Sequence, residues 1–192
     1  MFASDSSGFA VTWSSYVEQE ADRHLRSGQT PVQQVRQSVG RELSPKGDRS
    51  GYIHTKASDR QVLADAVAAR ARFIISEDVD DFAMEDLSSA GIAVVNPDLF
   101  LAERVSTDAY SEAVRRMAAS MARPPRTPEE LHIAIGRQHP RTVVAHQAAF
   151  GAQPSVKSDY SPAVLYRGAW CLRCGRQDSS LVFGVCADCL RD

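Results

Sequence analysis

Two groups of residues in this 192-residue chain have types and spacings suited to chemistry. The first is "ISEDVDDF", residues 75–82, where Glu77, Asp78, Asp80 and Asp81 follow the apolar run Phe73-Ile74-Ile75. Crowded carboxylates stay ionised together only where a cation neutralises them, and hard ions such as Mg²⁺ or Mn²⁺ are held by carboxylates and waters. A helix-dipole reading competes, because an acid in the first turn of a helix is stabilised without any metal; it would serve for Asp59, Asp80 and Asp81. The second group is Cys171, Cys174, Cys186 and Cys189, two C-x-x-C pairs separated by 11 residues, with Gly175 and Gly184 beside them. Four thiolates make a closed tetrahedral site, the structural arrangement for Zn²⁺. A lone C-x-x-C can be redox-active, and the pairing argues against that here.

These groups need elements to position them. "FAVTW", 9–13, reads as a short strand, and Ser15 with Glu18 is spaced as a capping box opening a helix to about Arg26. Val32, Val35 and Val39 predict a second helix from Pro31 to near Gly40. "GYIHT" reads as a strand, "SDRQVLADAVAARA" as a helix capped by Ser58, and "RFIIS" as a strand apolar on both faces. Strand, helix, strand makes a βαβ unit with a covered parallel sheet. A helix near 83–89 stopped by Gly91, and the strand "IAVVN", repeat the pattern. Ligands in such sheets sit outside the carboxyl ends of the strands, which would bring Asp59 and Asp78 to one edge.

Beyond Pro97 the pattern turns helical. Tyr110, Val114, Met117 and Met121 form one stripe of a helix stopped by "RPPR"; Thr127, Pro128 and Glu130 open another, and a third follows Pro140. Residues 151–168 have the composition of a linker. The expected organisation is 1–103, 104–150 as a helical extension, 151–168, and 169–192 as the cysteine module.

With 22 Lys+Arg against 24 Asp+Glu, a net charge of −2 gives no global case for nucleic-acid binding, so any such contact needs a local patch. Arg70 and Arg72 beside the acidic segment, or Arg115, Arg116, Arg123 and Arg126 on the extension, could supply one; a solvated helix face is the ordinary role. No run approaches the roughly 18 apolar residues of a membrane span. The segment "MFASDSSGFA" lacks the regions of a signal peptide, so a cytoplasmic protein is expected. The five histidines, His24, His54, His132, His139 and His146, lack ligand spacing and read as structural. Trp170, Leu181, Val182 and Phe183 read as a small core for the cysteine module.

The segment 58–103 resembles the second half of a PIN domain, the metal-dependent nuclease fold of VapC-type toxins. Asp59, Ala64, Ala66, Ser76, Asp78, Asp81, Phe82, Pro97, Phe100 and Leu101 fit its pattern. "TWSSYVEQEADRHL", 12–25, is similar to the helix carrying an acid in the family's first half, and 107–150 resembles the extension of one subgroup. The resemblance implies an α/β fold with a PIN-like parallel sheet flanked by helices. It also implies a catalytic set of Glu20, Asp59, Asp78 and Asp81, of which Asp59, Asp78 and Asp81 bind Mg²⁺ or Mn²⁺. The choice of Glu20 over Glu18 rests on the resemblance alone. Ser76 would orient a water or a carboxylate, or serve as a strand-end hydroxyl bonded to backbone. The family opens with a strand ending in Asp. Asp5 does not follow an apolar strand, so this first strand is expected to be missing.

The function so implied is a metal-dependent endoribonuclease, the toxin-like component of a toxin–antitoxin system, hydrolysing RNA phosphodiester bonds. Its partners would be RNA, a small antitoxin protein and a second copy in a homodimer. The alternative is a non-catalytic PIN-like remnant whose zinc ribbon binds nucleic acid or a protein. An unrelated α/β enzyme would need a phosphate-cradling glycine loop or a nucleophile elbow, and the sequence has neither.

Overall fold

The computed structural model describes residues 9–38, 43–121, 125–151, 164–178, 180–182 and 184–191. Asp5, Gly40, Arg123, Phe183 and most of the expected linker, 152–163, lie outside the described residues.

Helix α1, Ser15–Arg23, opens on Ser14 rather than on the expected Ser15, and it stops short of Arg26. The Ser14 hydroxyl accepts from the Tyr16 and Val17 amides. It also donates to the buried Asp65 carboxylate, and this distant partner selects between two adjacent serines. Glu18 is therefore no capping-box residue; it is buried and pairs with Arg36 at 3.0 Å on α2, Val32–Ser38. "FAVTW" forms no strand, only a bridge from Trp13 to Leu43.

"GYIHT" is not a strand either. The His54 and Thr55 amides donate to the buried Asp86 carboxylate at 3.0 and 2.7 Å, so one side chain takes the place of a ladder partner. Ile53 is left 62% exposed on this loop. The expected first βαβ unit is thus a loop followed by helix α3, Arg60–Ala68. Its N-cap is Asp59, not Ser58, and the Ser58 hydroxyl donates to the Asp59 carboxylate at 2.6 Å.

The βαβ unit that does form is β1, Phe73–Ile75, then α4, Met84–Ala90, then β2, Ala93–Val95. The two strands are parallel, with Phe73 opposite Ala93 and Ile75 opposite Val95. Gly91 ends α4 at φ +65°, a left-handed conformation natural to glycine at that position. A third strand, β3, Tyr166–Arg167, adds antiparallel to the far side of β2, so the sheet is mixed, in the order β1-β2-β3. Two residues of the expected linker are therefore part of the sheet.

Helix α5, Pro97–Arg104, was not anticipated, though its signal is local: Asn96 Oδ1 accepts from the Asp98 amide at 3.0 Å and proline takes the first turn. Helices α6, Thr107–Ser120, α7, Pro128–Ile135, and α8, Pro140–His146, form the extension. The Thr127–Glu130 capping box of α7 is present as expected. Buried Asp98 accepts from the Arg141 and Thr142 amides at 3.1 and 2.8 Å, so α5 caps α8 across 43 residues of sequence.

Leu63, Ile74, Val79, Phe82, Leu87, Ile92 and Val94 make one apolar cluster around the sheet. Val95, Leu99, Phe100 and Leu172 make another that includes the cysteine module. Tyr110, Val114, Ala118, Leu131 and Phe150 fill the extension; Met117, expected on the stripe, is 40% exposed and Ala118 takes its place. The fold is a mixed α/β one: a three-stranded sheet flanked by helices, with a C-terminal cysteine cluster.

Candidate functional site

Three backbone devices position the acidic residues. Asp59 ends a loop held by Asp86, and its own carboxylate makes no capping bond to α3. Asp78 follows β1 at its carboxyl end, where the Ser76 hydroxyl accepts from the Asp78 amide at 3.2 Å. Asp81 closes a 3-10 turn, Val79–Asp81, anchored by buried Val79 and Phe82. The Lys56 amide donates to the Asp81 carbonyl at 3.0 Å, which fastens the Asp59 loop to the turn.

Lys56 lies in the field of three of these acids and touches one of them. Its ammonium donates to Asp81 Oδ2 at 2.6 Å, and the fields of Asp59 and Asp78 also favour its charge. Burial pushes the Asp59 carboxyl up from its ordinary value, the Ser58 hydroxyl and Lys56 pull it down, and the charges of Asp81 and Glu20 raise it further. Glu20, Asp59 and Asp81 therefore share one electrostatic neighbourhood, while Glu18 is committed to Arg36. The acids do not close as a group: among the described residues, the cysteines are the set whose ligand atoms all lie within 4.8 Å of one another.

Asp65, Asp86 and Asp98 offer a contrast. Each is at most 3% exposed and accepts several bonds, Asp65 from the Gly47 amide at 2.9 Å and Gln61 Nε2 at 2.7 Å as well as from Ser14. Those three carboxylates are spent on the fold. Asp59 and Asp81 are half-buried and Asp78 is exposed, as ligands open to solvent need to be.

The expected basic patch is not beside the acids. Arg70 and Arg72 precede β1 and so lie at its amino end, about 13 Å or more of chain away from Ser76. Arg72 instead lies over the Trp170 ring at 5.7 Å. On the extension, Arg115 lies over Phe150 at 5.9 Å and Arg116 pairs with Glu112 at 3.4 Å, while Arg126 is exposed. The cations that do reach the acidic segment, Lys56 and Arg167, were not singled out in the sequence. Arg167 donates to the Phe82 carbonyl at 2.9 Å and to the Asp80 carbonyl and carboxylate at 3.3 and 3.1 Å. Its signal, one arginine in a linker-like stretch, was too weak to find.

The four cysteine sulfurs converge within 4.8 Å, with Cys174 and Cys186 at 3.7 Å. Metal–sulfur bonds of about 2.3 Å in a tetrahedron put sulfurs about 3.8 Å apart, so the quartet fits a closed thiolate site. The Arg176 guanidinium beside Cys174 holds that thiol down at about 6. The Cys186 amide donates to Cys171 Sγ at 3.3 Å, and a metal thiolate is stabilised by such bonds. Leu181 packs with Val185 against the cysteines, but Val182 is 52% exposed and Trp170 faces the sheet, donating to the Gly91 carbonyl at 2.9 Å. Of the expected core residues Leu181 is in place, Phe183 lies outside the described residues, and Leu172 joins the module to the main body.

His132 and His146 are buried in the extension among Tyr110 and Phe150. Burial lowers both imidazoles from their ordinary value. The Tyr110 hydroxyl lies 3.0 Å from His132 Nδ1, and Thr107 Oγ1 lies 3.2 Å from His146 Nδ1.

No described helix is long and apolar enough to cross a membrane. No family model matches the chain, and no solved structure matches it. Over 98 residues the chain is 36% identical to the protein named "Putative ribonuclease VapC50" of Mycobacterium tuberculosis (strain ATCC 25618 / H37Rv). The match covers 49% of this chain and 57% of that protein, so the chain spans little more than half the length of this curated relative.

Proposed function

We propose that this chain is a metal-dependent endoribonuclease of the VapC toxin type, with a PIN-like body in 1–103, a helical extension in 104–150 and a zinc-binding module in 169–192. The observation that carries the reading is the meeting of three acids' fields at Lys56, those of Asp81, Asp59 and Asp78, with Glu20, from a separate segment, acting on Asp59. The 36% identity over 98 residues to a protein named as a ribonuclease gives that meeting its chemical sense.

The donor set, carboxylates open to solvent, fits a hard divalent ion. Asp59, Asp78 and Asp81 would hold Mg²⁺ or Mn²⁺, with Glu20 completing the catalytic set. When bound, such an ion supplies an activated water and stabilises charge on the scissile phosphate. The chain's own part is positional. Asp86 and the Lys56–Asp81 backbone bond fix the two loops against each other. Lys56 neutralises Asp81 in the absence of an ion and would turn to the incoming phosphate when Asp81 is engaged. The Ser76 hydroxyl accepts from the Asp78 amide and so fixes the backbone there. RNA is the substrate on this reading, a small antitoxin protein is the inhibitory partner, and a homodimer is the active assembly. Zn²⁺ fills the cysteine site and is structural.

One observation favours a second reading, a non-catalytic protein that binds nucleic acid or a partner. Lys56 already satisfies Asp81 at 2.6 Å, so part of the acidic charge is balanced without a metal. RNA cleavage by the full chain separates the two. Cutting with Mg²⁺ or Mn²⁺, none with a chelator, and none by the folded Asp78→Asn/Asp81→Asn variant are expected. Unchanged cutting by that variant would sink the assignment, and RNA binding with no cutting under any metal would favour the second reading.

A further inference from the structure

The cysteine module and the acidic turn are covalently remote but mechanically joined. Arg167 lies on β3, four residues before Cys171, and its guanidinium crosses to the acidic turn. There it donates to the Phe82 carbonyl at 2.9 Å, the Asp80 carbonyl at 3.3 Å and the Asp80 carboxylate at 3.1 Å. The Asp80 pair is 55% exposed on the acid's side, so its ion-pair part is weak. The carbonyl bonds matter more, because they fix the main chain on both sides of Asp81.

The strand that carries Arg167 is itself held by the cysteine module. Two ladder residues are too short to stand alone. The Tyr166 hydroxyl donates to the Trp170 carbonyl and accepts from the Trp170 amide at 3.0 Å, closing a loop directly onto Cys171. The Leu172 amide donates to the Gly184 carbonyl at 2.6 Å, joining the two cysteine knuckles. Arg104 of α5 donates to the Leu172 and Arg173 carbonyls at 3.0 and 2.8 Å, and Arg173 pairs with Glu103 at 2.7 Å. At Gly168, φ +146°, a Cβ would stand 2.3 Å from Ala93 Cβ, so the chain presses directly on β2.

We infer that Arg167 is a positioning residue through which a metal-closed cysteine quartet holds the Asp80–Phe82 backbone in place. The inference rests on the nuclease reading only for the purpose it gives to that turn. The knuckles have little apolar core of their own besides Leu172, Leu181 and Val185, so loss of the ion is expected to loosen them, and with them β3 and Arg167.

Hydrogen exchange on the full chain tests this without any activity. The Asp81, Phe82 and Ala83 amides are bonded to the Asp78 and Val79 carbonyls and to Thr55 Oγ1, so their exchange reports the turn. In Zn²⁺-loaded protein, Arg167→Ala is expected to speed their exchange by at least about tenfold, the scale of losing a charged hydrogen bond. Zinc content and the Val94 and Val95 amides should not change, and Arg167→Lys should recover part of the protection. Removing Zn²⁺ from the wild-type chain should speed the same three amides as Arg167→Ala does, and add nothing further in that variant. Unchanged exchange at the turn in zinc-loaded Arg167→Ala, or a zinc effect of equal size with and without Arg167, would overturn the inference. Wild-type protein that shows the coupling but cuts no RNA would instead count against the nuclease reading alone.

Discussion

The acidic segment and the cysteine module both crowd potential anions, yet they solve the problem in opposite ways. The four sulfurs converge within 4.8 Å, two of them at 3.7 Å, with the Cys186 amide donating to Cys171 Sγ. The acids share one field but stay apart, with Lys56 and Arg167 absorbing part of the charge. A closed set of soft ligands suits an ion that never leaves; an open set of hard ligands, partly balanced by cations, suits an ion that must also hold water and substrate. The difference teaches where to look for function: in the ligands the fold leaves unfinished.

The largest expected effect breaks the closed side. Cys174→Ser removes one of four ligands and should take zinc content in purified protein from one equivalent to none, with loss of the near-ultraviolet signal of Trp170, which lies against the sheet. Next, the contrast between spent and open carboxylates is sharpened by Asp98→Ala. It strips buried bonds from the start of α8 and should cost about 3 kcal/mol of stability in denaturant titration, leaving Mn²⁺ binding intact. Asp78→Ala should do the reverse, removing Mn²⁺ binding with little change in Tm.

Gly168→Ala is expected to cost about 2 kcal/mol, because a methyl there meets Ala93 at 2.3 Å and the φ of +146° strains any other residue. Thermal melting of zinc-loaded protein measures it. The acidic side also has a pH signature. Asp59 is raised in the fold, so the metal-free native state binds its proton more tightly than the unfolded chain does. Stability from this group therefore grows as pH falls through the raised value and is lost as pH climbs back past it. Mn²⁺ must displace that proton, so its affinity should weaken as pH falls through the same raised value, as calorimetry across pH would show. The smallest effect is that of Lys56→Met, which frees Asp81 and should strengthen Mn²⁺ binding by about threefold.

The legible parts of the molecule are those whose causes are local. Two C-x-x-C knuckles, the Thr127–Glu130 box and the Gly91 stop each act within a few residues, and each stands where the sequence put it. The parts that were not legible depend on distant partners. "GYIHT" has the composition of a strand, but Asp86, more than thirty residues on, supplies the acceptor that a neighbouring strand would have given. Ser14 takes the cap from Ser15 because Asp65 receives its hydroxyl. Strand β3 spans two residues, too few for any periodicity, and sits in a stretch with linker composition. At the candidate site, acids were easy to name because residue type and spacing reveal them. Lys56 and Arg167 were not, since a cation's partner is fixed only by the fold.

The central claim is that the open acidic cluster binds a divalent ion separately from the cysteine site. Mn²⁺ titration of the zinc-loaded full chain by calorimetry tests it most directly, beside the Asp78→Asn/Asp81→Asn variant. The account predicts one saturable site in the wild-type chain that the variant lacks, at equal zinc content. No saturable Mn²⁺ site, or one that survives both substitutions, would contradict it.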